Sequence, residues 1–511
     1  MFEMPSGAEI QSIISILKGG AAYFVPEIYL SALFMVLIVV DLITWRKNSR
    51  FLATVTIAGL LGSLYFIYKQ QPLPDSEFFF GMYALDRFGI FFKYFFVASG
   101  ILAVLTTMID KPLNKQESGM GEYYALLVAM VVGMMMMASS TDMLMMFLAM
   151  ELVSLSAYAM TGYLKREIRS SEAALKYLVY GAVSSGMLLY GFSLIYGMTG
   201  QTNISKIAML LAVHGYNPLV MILAVLLIVA GFGYKMGAVP FHFWSPDVYE
   251  GAPTPVTAYL SVGSKAAGFA MLMRFFYVAV PHELTGGISF LQVDWLWILM
   301  LISAASMIYG NVVAIWQKNV KRLLAYSSIA HAGYLLLGII TMDQLGTQAT
   351  LVYLAAYLLM NYGAFYVVII IANRTGSENL EDYRGLGKRM PLAGAALTVF
   401  LISLVGLPPT FGFIGKLMIF SALLSKGSLF MWLALIGILT SVISLYYYML
   451  IPLNMYLRES ENPDDSVIET GMGAKIVTAA LMIATLYFGL FFQPIVNYAK
   501  YSSVLFGALL N

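Results

Sequence analysis

The chain has 511 residues, 60% of them hydrophobic and 11% charged, with a formal charge of +2 and a mean hydropathy of +0.80. A soluble protein carries about 25% charged residues, so this composition excludes an ordinary water-facing globule. The absence of cysteine excludes disulfides, thiolate-held iron–sulfur clusters and a thiol nucleophile.

The remaining solvent is lipid, where each helical span needs roughly 20 apolar residues and must satisfy its own backbone. Long apolar runs such as 28–40 and 219–231 favour helices over the alternating segments of a β-barrel. In chain order, residues 1–20 lack a basic start and a cleavage site and read as a retained amphipathic lead-in. Spans follow near 23–44, 51–70, 87–109, 120–138, 141–163, 171–198 and 217–248. The second half gives 253–278, 293–315, 320–341, 346–373, 391–425, 428–456 and 472–495. The expectation is an all-α polytopic membrane protein of about fourteen transmembrane helices.

Loops after odd-numbered spans carry the basic residues, among them Arg46, Lys47, Arg50, Lys165, Arg166, Arg169, Lys388 and Arg389. The opposite side holds little beyond Lys18, Lys69, Lys206, Arg274, Lys426 and Lys500. The positive-inside rule makes the odd loops cytoplasmic and puts both termini outside.

Two spans are interrupted. The seventh is cut at Pro240 and the twelfth at Pro408-Pro409, and proline opens a helix backbone. Broken helices in corresponding positions point to inverted repeats around an ion pathway. The breaks fall five spans apart, which predicts two inverted five-helix repeats, spans 4–8 (120–278) and 9–13 (293–456). Residues 1–119 then precede the repeats and 457–511 follow them. Plain kinking by proline is the other reading of the same pattern.

Ionisable residues lie far from the span ends: Glu151 in span 5, Lys235 before the span-7 break, Lys265 in span 8, His331 in span 10 and Lys416 after the double proline of span 12. A charge at the bilayer centre costs at least about 2.5–3.5 kcal/mol. Static ion pairs that hold the bundle are one explanation. Three lysines against one mid-membrane glutamate, however, leave two without a carboxylate, and a buried lysine gives up its proton readily unless a carboxylate restrains it. Making or breaking a Glu151–Lys235 contact is therefore a pump element. His242, at the span-7 break, either relays protons or satisfies freed carbonyls. His331, near Ser327, Ser328 and Tyr334, suits a wet channel or a bonded core. Lys176, one turn from Glu172, reads equally as a shallow surface pair. Lys93 is expected to snorkel, and the runs Met134–Met137 and Tyr446–Tyr448 read as packing.

These residues sit in familiar stretches. MELVSLSAYAMTGY, SSEAALKYLVYGAVSSGMLLYG, GYKMGAVPFHFWSPDVYEGAPTPVTAYLSVGSKAAGFA and LLAYSSIAHAGYLLLG resemble the antiporter-like subunits of proton-pumping NADH:quinone oxidoreductase, the respiratory complex I family, over residues 20–495. Of the three paralogues, one has a long lateral helix, whereas this chain stops at Asn511. A second has glutamate where Lys416 stands. SEAALKY is typical of the third. The resemblance implies that Glu151, Lys235, Lys265 and Lys416 are the family's pathway residues, with His242 and His331 near it. It implies that flavin, iron–sulfur clusters and quinone belong to partner subunits and that this chain holds no cofactor and no metal. The expected partners are a neighbouring antiporter-like subunit, small membrane subunits and lipid, with no nucleic acid. The expected location is a bacterial cytoplasmic (inner) membrane, or else a thylakoid. A subunit of a multisubunit cation/proton antiporter is the alternative.

Overall fold

A computed structural model describes residues 7–43, 49–115, 119–279, 295–459, 466 and 468–504. Arg46, Lys47 and Asn511 lie outside the described residues. The described chain is almost wholly helical, with one antiparallel hairpin of Ser76–Phe78 against Tyr83–Leu85. Twelve of its helices are long and apolar enough to cross a membrane. They correspond to the first seven expected spans, the ninth to eleventh, the thirteenth and the fourteenth. The amphipathic lead-in is a helix, Gly7–Ala21, with Ile10, Ile13, Ile14 and Leu17 exposed along it.

The other two spans are present but segmented. Span 12 is Pro391–Val405 and Phe411–Leu424, separated by the double-proline break. Span 8 begins as Thr254–Tyr259, passes through one π turn at Leu260–Ser264, and continues as Lys265–Ala279. That discontinuity has no proline to announce it. Span 7 ends as Pro218–Met236, capped by left-handed Gly237, and resumes as Trp244–Gly251.

Burial sorts the helices. A helix that is apolar all round belongs in a core, and the tenth span, Val320–Ile340, is 100% buried over its membrane window. The eleventh, Gln344–Thr375, is 89% buried. The first, Val25–Ile43, and the fourteenth, Met472–Leu490, lie at the rim at 33% and 22%. His331 therefore sits on the most enclosed of the described candidate membrane spans.

Candidate functional site

The fifth span, Met143–Thr161, is started by Asp142, whose carboxylate accepts from the backbone N–H groups of Leu144 (2.9 Å) and Met145 (3.3 Å). At about 1.5 Å per residue, Glu151 then lies roughly 13 Å along the helix, near the middle of a ~30 Å hydrocarbon layer. Glu151 is half-buried and accepts a hydrogen bond from Ser185 on the sixth span. One turn further, on the same face, Ser154 accepts from the Lys235 ammonium at 3.1 Å. Lys235 is 3% exposed and occupies the last turn of Pro218–Met236, where the carbonyl end of a helix favours a cation. The expected Glu151–Lys235 contact is thus not direct: the Lys235 ammonium is on Ser154, one turn from Glu151, and no ion pair within 4.0 Å links the two.

Lys265 is the first residue after the π turn and is 3% exposed. Its ammonium donates to the Ser328 carbonyl at 2.6 Å and to the Ser328 hydroxyl. A π turn rotates the following side chains relative to a regular helix, and such turns recur at functional positions. Ser328 lies one turn before His331. The imidazole bonds Tyr353 Oη through Nδ1 at 2.6 Å and Tyr448 Oη through Nε2 at 3.2 Å. Tyr448 also bonds Ser327, and the Tyr357 ring stands 5.0 Å from the imidazole.

Lys416 closes the line. Its ammonium donates to the Val405 carbonyl at 2.7 Å and to Ser441 Oγ at 2.9 Å, 4.5 Å from the centre of the Tyr334 ring. Val405 ends the first half of the broken twelfth span, so Lys416 meets the carbonyl end of a half-helix, whereas the Lys235 ammonium is held by the Ser154 hydroxyl. Lys235 precedes its break in sequence and Lys416 follows its own, and the two ammonium groups have different acceptors. Gly406, at φ +89°, makes room: a Cβ there would lie 2.7 Å from Lys416 Cδ.

Other residues fall differently from expectation. His242 is 2% exposed, with Phe243 and Tyr309 rings each 4.5 Å away, and neither ring nitrogen has a hydrogen-bond partner. Lys176 pairs with Glu172 (2.8 Å) as a surface pair would, but also with Asp247 (2.7 Å), which Arg322 holds from the other side at 2.8 Å. This charged mesh opens beside a polar cavity of about 700 Å³ lined by Asp110, Lys111, Arg169, Lys321 and Glu378, among others. Burial pushes the Asp110 carboxyl up to about 6. Tyr447 and Tyr448 are buried and hydrogen-bonded, to Asn311 (2.9 Å) and to His331 respectively, so they do more than fill space; Tyr446 faces outward.

Two buried ion pairs went unrecognised in the sequence. Lys93 does not snorkel: with both side chains 0% exposed, its ammonium meets Glu27 at 2.9 Å and donates to Gln70 Oε1 at 2.8 Å, while Tyr83 Oη donates to Glu27 at 2.7 Å. Arg274 likewise is no surface charge; it forks onto Asp86 at 2.7 and 2.9 Å and donates through Nε to the Ala138 carbonyl. The only advance signals were an acidic residue in the first turn of span 1 and an aspartate opening span 3.

The family described as NADH:quinone oxidoreductase/Mrp antiporter, TM, matches residues 140–444. This stretch contains Glu151, Lys235, Lys265, His331 and Lys416. A chain of the Mrp complex from Dietzia sp. shares the fold (TM-score 0.80, 19% identity, 96% of this chain and 100% of that one). A chain of respiratory complex I from Thermus thermophilus is 32% identical, with TM-score 0.74 over 92% of this chain and 98% of that one. The NADH-quinone oxidoreductase subunit N of Chlorobium chlorochromatii is 68% identical across 100% of both chains. The chain belongs to the family of NADH-quinone oxidoreductase subunit N, a proton-pumping membrane-arm subunit of complex I.

Proposed function

We propose that protons cross this subunit along a line of side chains from Glu151 through Lys235 and Lys265 to His331 and Lys416, while all redox chemistry stays in partner subunits. One observation carries the reading: the protein has two kinds of buried cation. Lys93 and Arg274 each touch a carboxylate. Lys235, Lys265 and Lys416 are 3–4% exposed yet meet only hydroxyl and carbonyl oxygens. An uncompensated charge inside a protein costs several kcal/mol, so a purely structural lysine would have a counter-ion, as Lys93 has. Lysines that spend part of a cycle neutral do without one.

Ser154 gives Lys235 a resting acceptor one turn from Glu151. A charge change in the neighbouring membrane subunit then decides whether the ammonium leans to Glu151 or away. Two unit charges brought to 4 Å in a medium of effective dielectric 20 exchange about 4 kcal/mol. Driving a proton against 100 mV needs about 2.3 kcal/mol, so this lever is sufficient. The Lys235 ammonium releases its proton to the Lys265 amine. From there it passes by Ser328, His331 and the tyrosine hydroxyls to the Lys416 amine, and Lys235 is recharged from the cytoplasmic side. The Lys176–Asp247–Arg322 mesh marks that mouth, with His242 between it and the lysines. No electron moves here, in keeping with a chain that has no cysteine. Flavin, iron–sulfur clusters and quinone are assigned to other subunits, and the host membrane to the bacterial cytoplasmic membrane. Residues 120–278 and 293–456 are read as inverted repeats, supported by the breaks in the seventh and twelfth spans, five spans apart.

Lys235→Met is expected to abolish donor-driven acidification in membrane vesicles while the complex still assembles. Lys235→Arg is expected to fail as well, because guanidinium keeps its proton. Near-normal pumping by the arginine form would defeat the switching role.

A further inference from the structure

The lead-in helix Gly7–Ala21 has 15 residues, about 22 Å at 1.5 Å per residue, and is too short to cross a ~30 Å hydrocarbon layer. With a turn every 3.6 residues, Ile10, Ile13, Ile14 and Leu17 fall in one stripe about 100° wide, while Gln11, Ser15 and Lys18 lie off it. Ile10, Gln11 and residues 13–19 are all exposed. A helix of this length with no packed face is marginal in water, so the stripe calls for a cover from outside the chain.

One end of the helix is pinned. The Phe79 ring lies against Gly20, where a Cβ would sit 3.0 Å from Phe79 Cε1. Phe24 meets Phe79 edge-on at 5.7 Å, and Tyr23 stacks on Phe78 at 4.3 Å. Gln70 Nε2 donates to the Tyr23 carbonyl at 2.6 Å. Phe79 and Phe80 are both left-handed, at φ +53° and +60°, a conformation that ordinarily falls to glycine. The turn is thus held so that Phe79 grips the junction while Phe80 stays 57% exposed.

The same junction stands at the edge of the hydrocarbon. The exposed apolar side chains of the first span, Ile28, Val36 and Val39 among them, begin one turn past Phe24. Tyr65 and Tyr68 are exposed near the end of the second span, with the Lys69 ammonium 4.9 Å from the centre of the Tyr65 ring. Exposed tyrosines and a lysine at the end of a span mark the boundary between lipid and water. Gln70, which holds the junction, follows Tyr68 by two residues. Residues 7–21 contain no aromatic residue and no arginine, the types that anchor most contacts between proteins. A purely aliphatic stripe at this height fits acyl chains.

We propose that Gly7–Ala21 lies in the plane of the membrane surface, with Ile10, Ile13, Ile14 and Leu17 sunk into the boundary between headgroups and acyl chains. The leaflet is the one on the side of the hairpin, which the loop charges make the outer one. Its ligand is phospholipid, and Phe80 enters the same leaflet beside it. The helix is an interfacial anchor that holds the rim of the bundle through the aromatic clamp at Tyr23 and Phe24.

The test places the photoreactive residue p-benzoylphenylalanine at Ile13, Leu17 or Ser15, one at a time. The complete complex is reconstituted in nanodiscs of phosphatidylcholine and phosphatidylglycerol and irradiated, and the mass of the intact subunit reads what was captured. Phospholipid adducts are expected from the Ile13 and Leu17 positions, with their loss at Ser15. Capture of another subunit from Ile13 and Leu17 in place of lipid would overturn the proposal and make the helix a contact between proteins. Lipid adducts in equal yield at all three positions would also overturn it, because the helix would then have no fixed face. So would the absence of any adduct at Ile13 and Leu17, which leaves the stripe in water.

Discussion

Replacing Lys93 with methionine separates a structural buried cation from a working one. In the folded chain Glu27 is 0% exposed, accepts from Tyr83 at 2.7 Å and from Lys93 at 2.9 Å, and has a second oxygen without a partner. Methionine keeps the volume and removes the cation, leaving a buried carboxylate held by one phenol. Removing one member of a buried ion pair costs about 3–5 kcal/mol. Gln70 Oε1 also loses its donor, which adds about 1 kcal/mol or more. Lys235→Met breaks only the Ser154 bond and is expected to cost about 1 kcal/mol. The double variant Glu27→Gln/Lys93→Met leaves no charge behind and is expected to lie nearer the unmodified protein than Lys93→Met alone. The assay is the temperature at which the chain is lost from the purified complex. A Lys93→Met midpoint no lower than that of Lys235→Met would refute the division of the buried cations into two kinds.

Asp110 supplies a pH-dependent test. Its folded pKa is raised from 3.8 to about 6, so between these values the folded state holds a proton that the unfolded chain releases. Stability therefore falls as pH rises through that window. Asp110→Asn retains a side-chain acceptor for the Leu113 N–H; it is expected to raise the thermal midpoint at pH 8, by up to about 3 kcal/mol of stability, and to lose the advantage near pH 4. The topology is open to labelling, because the native chain has no cysteine. A cysteine at Asp75, exposed beside the hairpin, is expected to react only from the outer side, and one at exposed Lys388 only from the cytoplasm. The reverse pattern would invert the assignment.

What could be read from residues alone follows from what lipid forces on a chain. Span length and the proline breaks at 240 and 408–409 were legible because the membrane demands long apolar helices and proline cannot continue one. The depth of Glu151, Lys235, Lys265, His331 and Lys416 was legible for the same reason. Partners were not. Lys93 looked able to snorkel because Arg87 is near in sequence, whereas its counter-ion comes from the first span. Ser154 lies one turn from Glu151 in plain view, but nothing local says that it, and not the carboxylate, receives Lys235. The tyrosine run read as packing because His331 reaches Tyr448 only once the tenth and thirteenth spans lie side by side. The π turn before Lys265 carries no local signature, since glycine and serine fit a regular helix as well.

The complete enclosure of the tenth span constrains how any driving force acts. Val320–Ile340 carries both Ser328 and His331 and has neighbours on every side. Close-packed interiors do not deform continuously, so sliding or turning this helix would require all the surrounding helices to repack together. A piston-like stroke at the centre of the molecule would carry that repacking cost. What can change there at little cost is the direction of a hydroxyl rotor, the tautomer of one ring and the lean of three long side chains. On the proposed pathway, each proton passed along this row leaves its hydroxyls pointing the wrong way for the next. A reset must follow every transfer, and two protons cannot travel the same row at once.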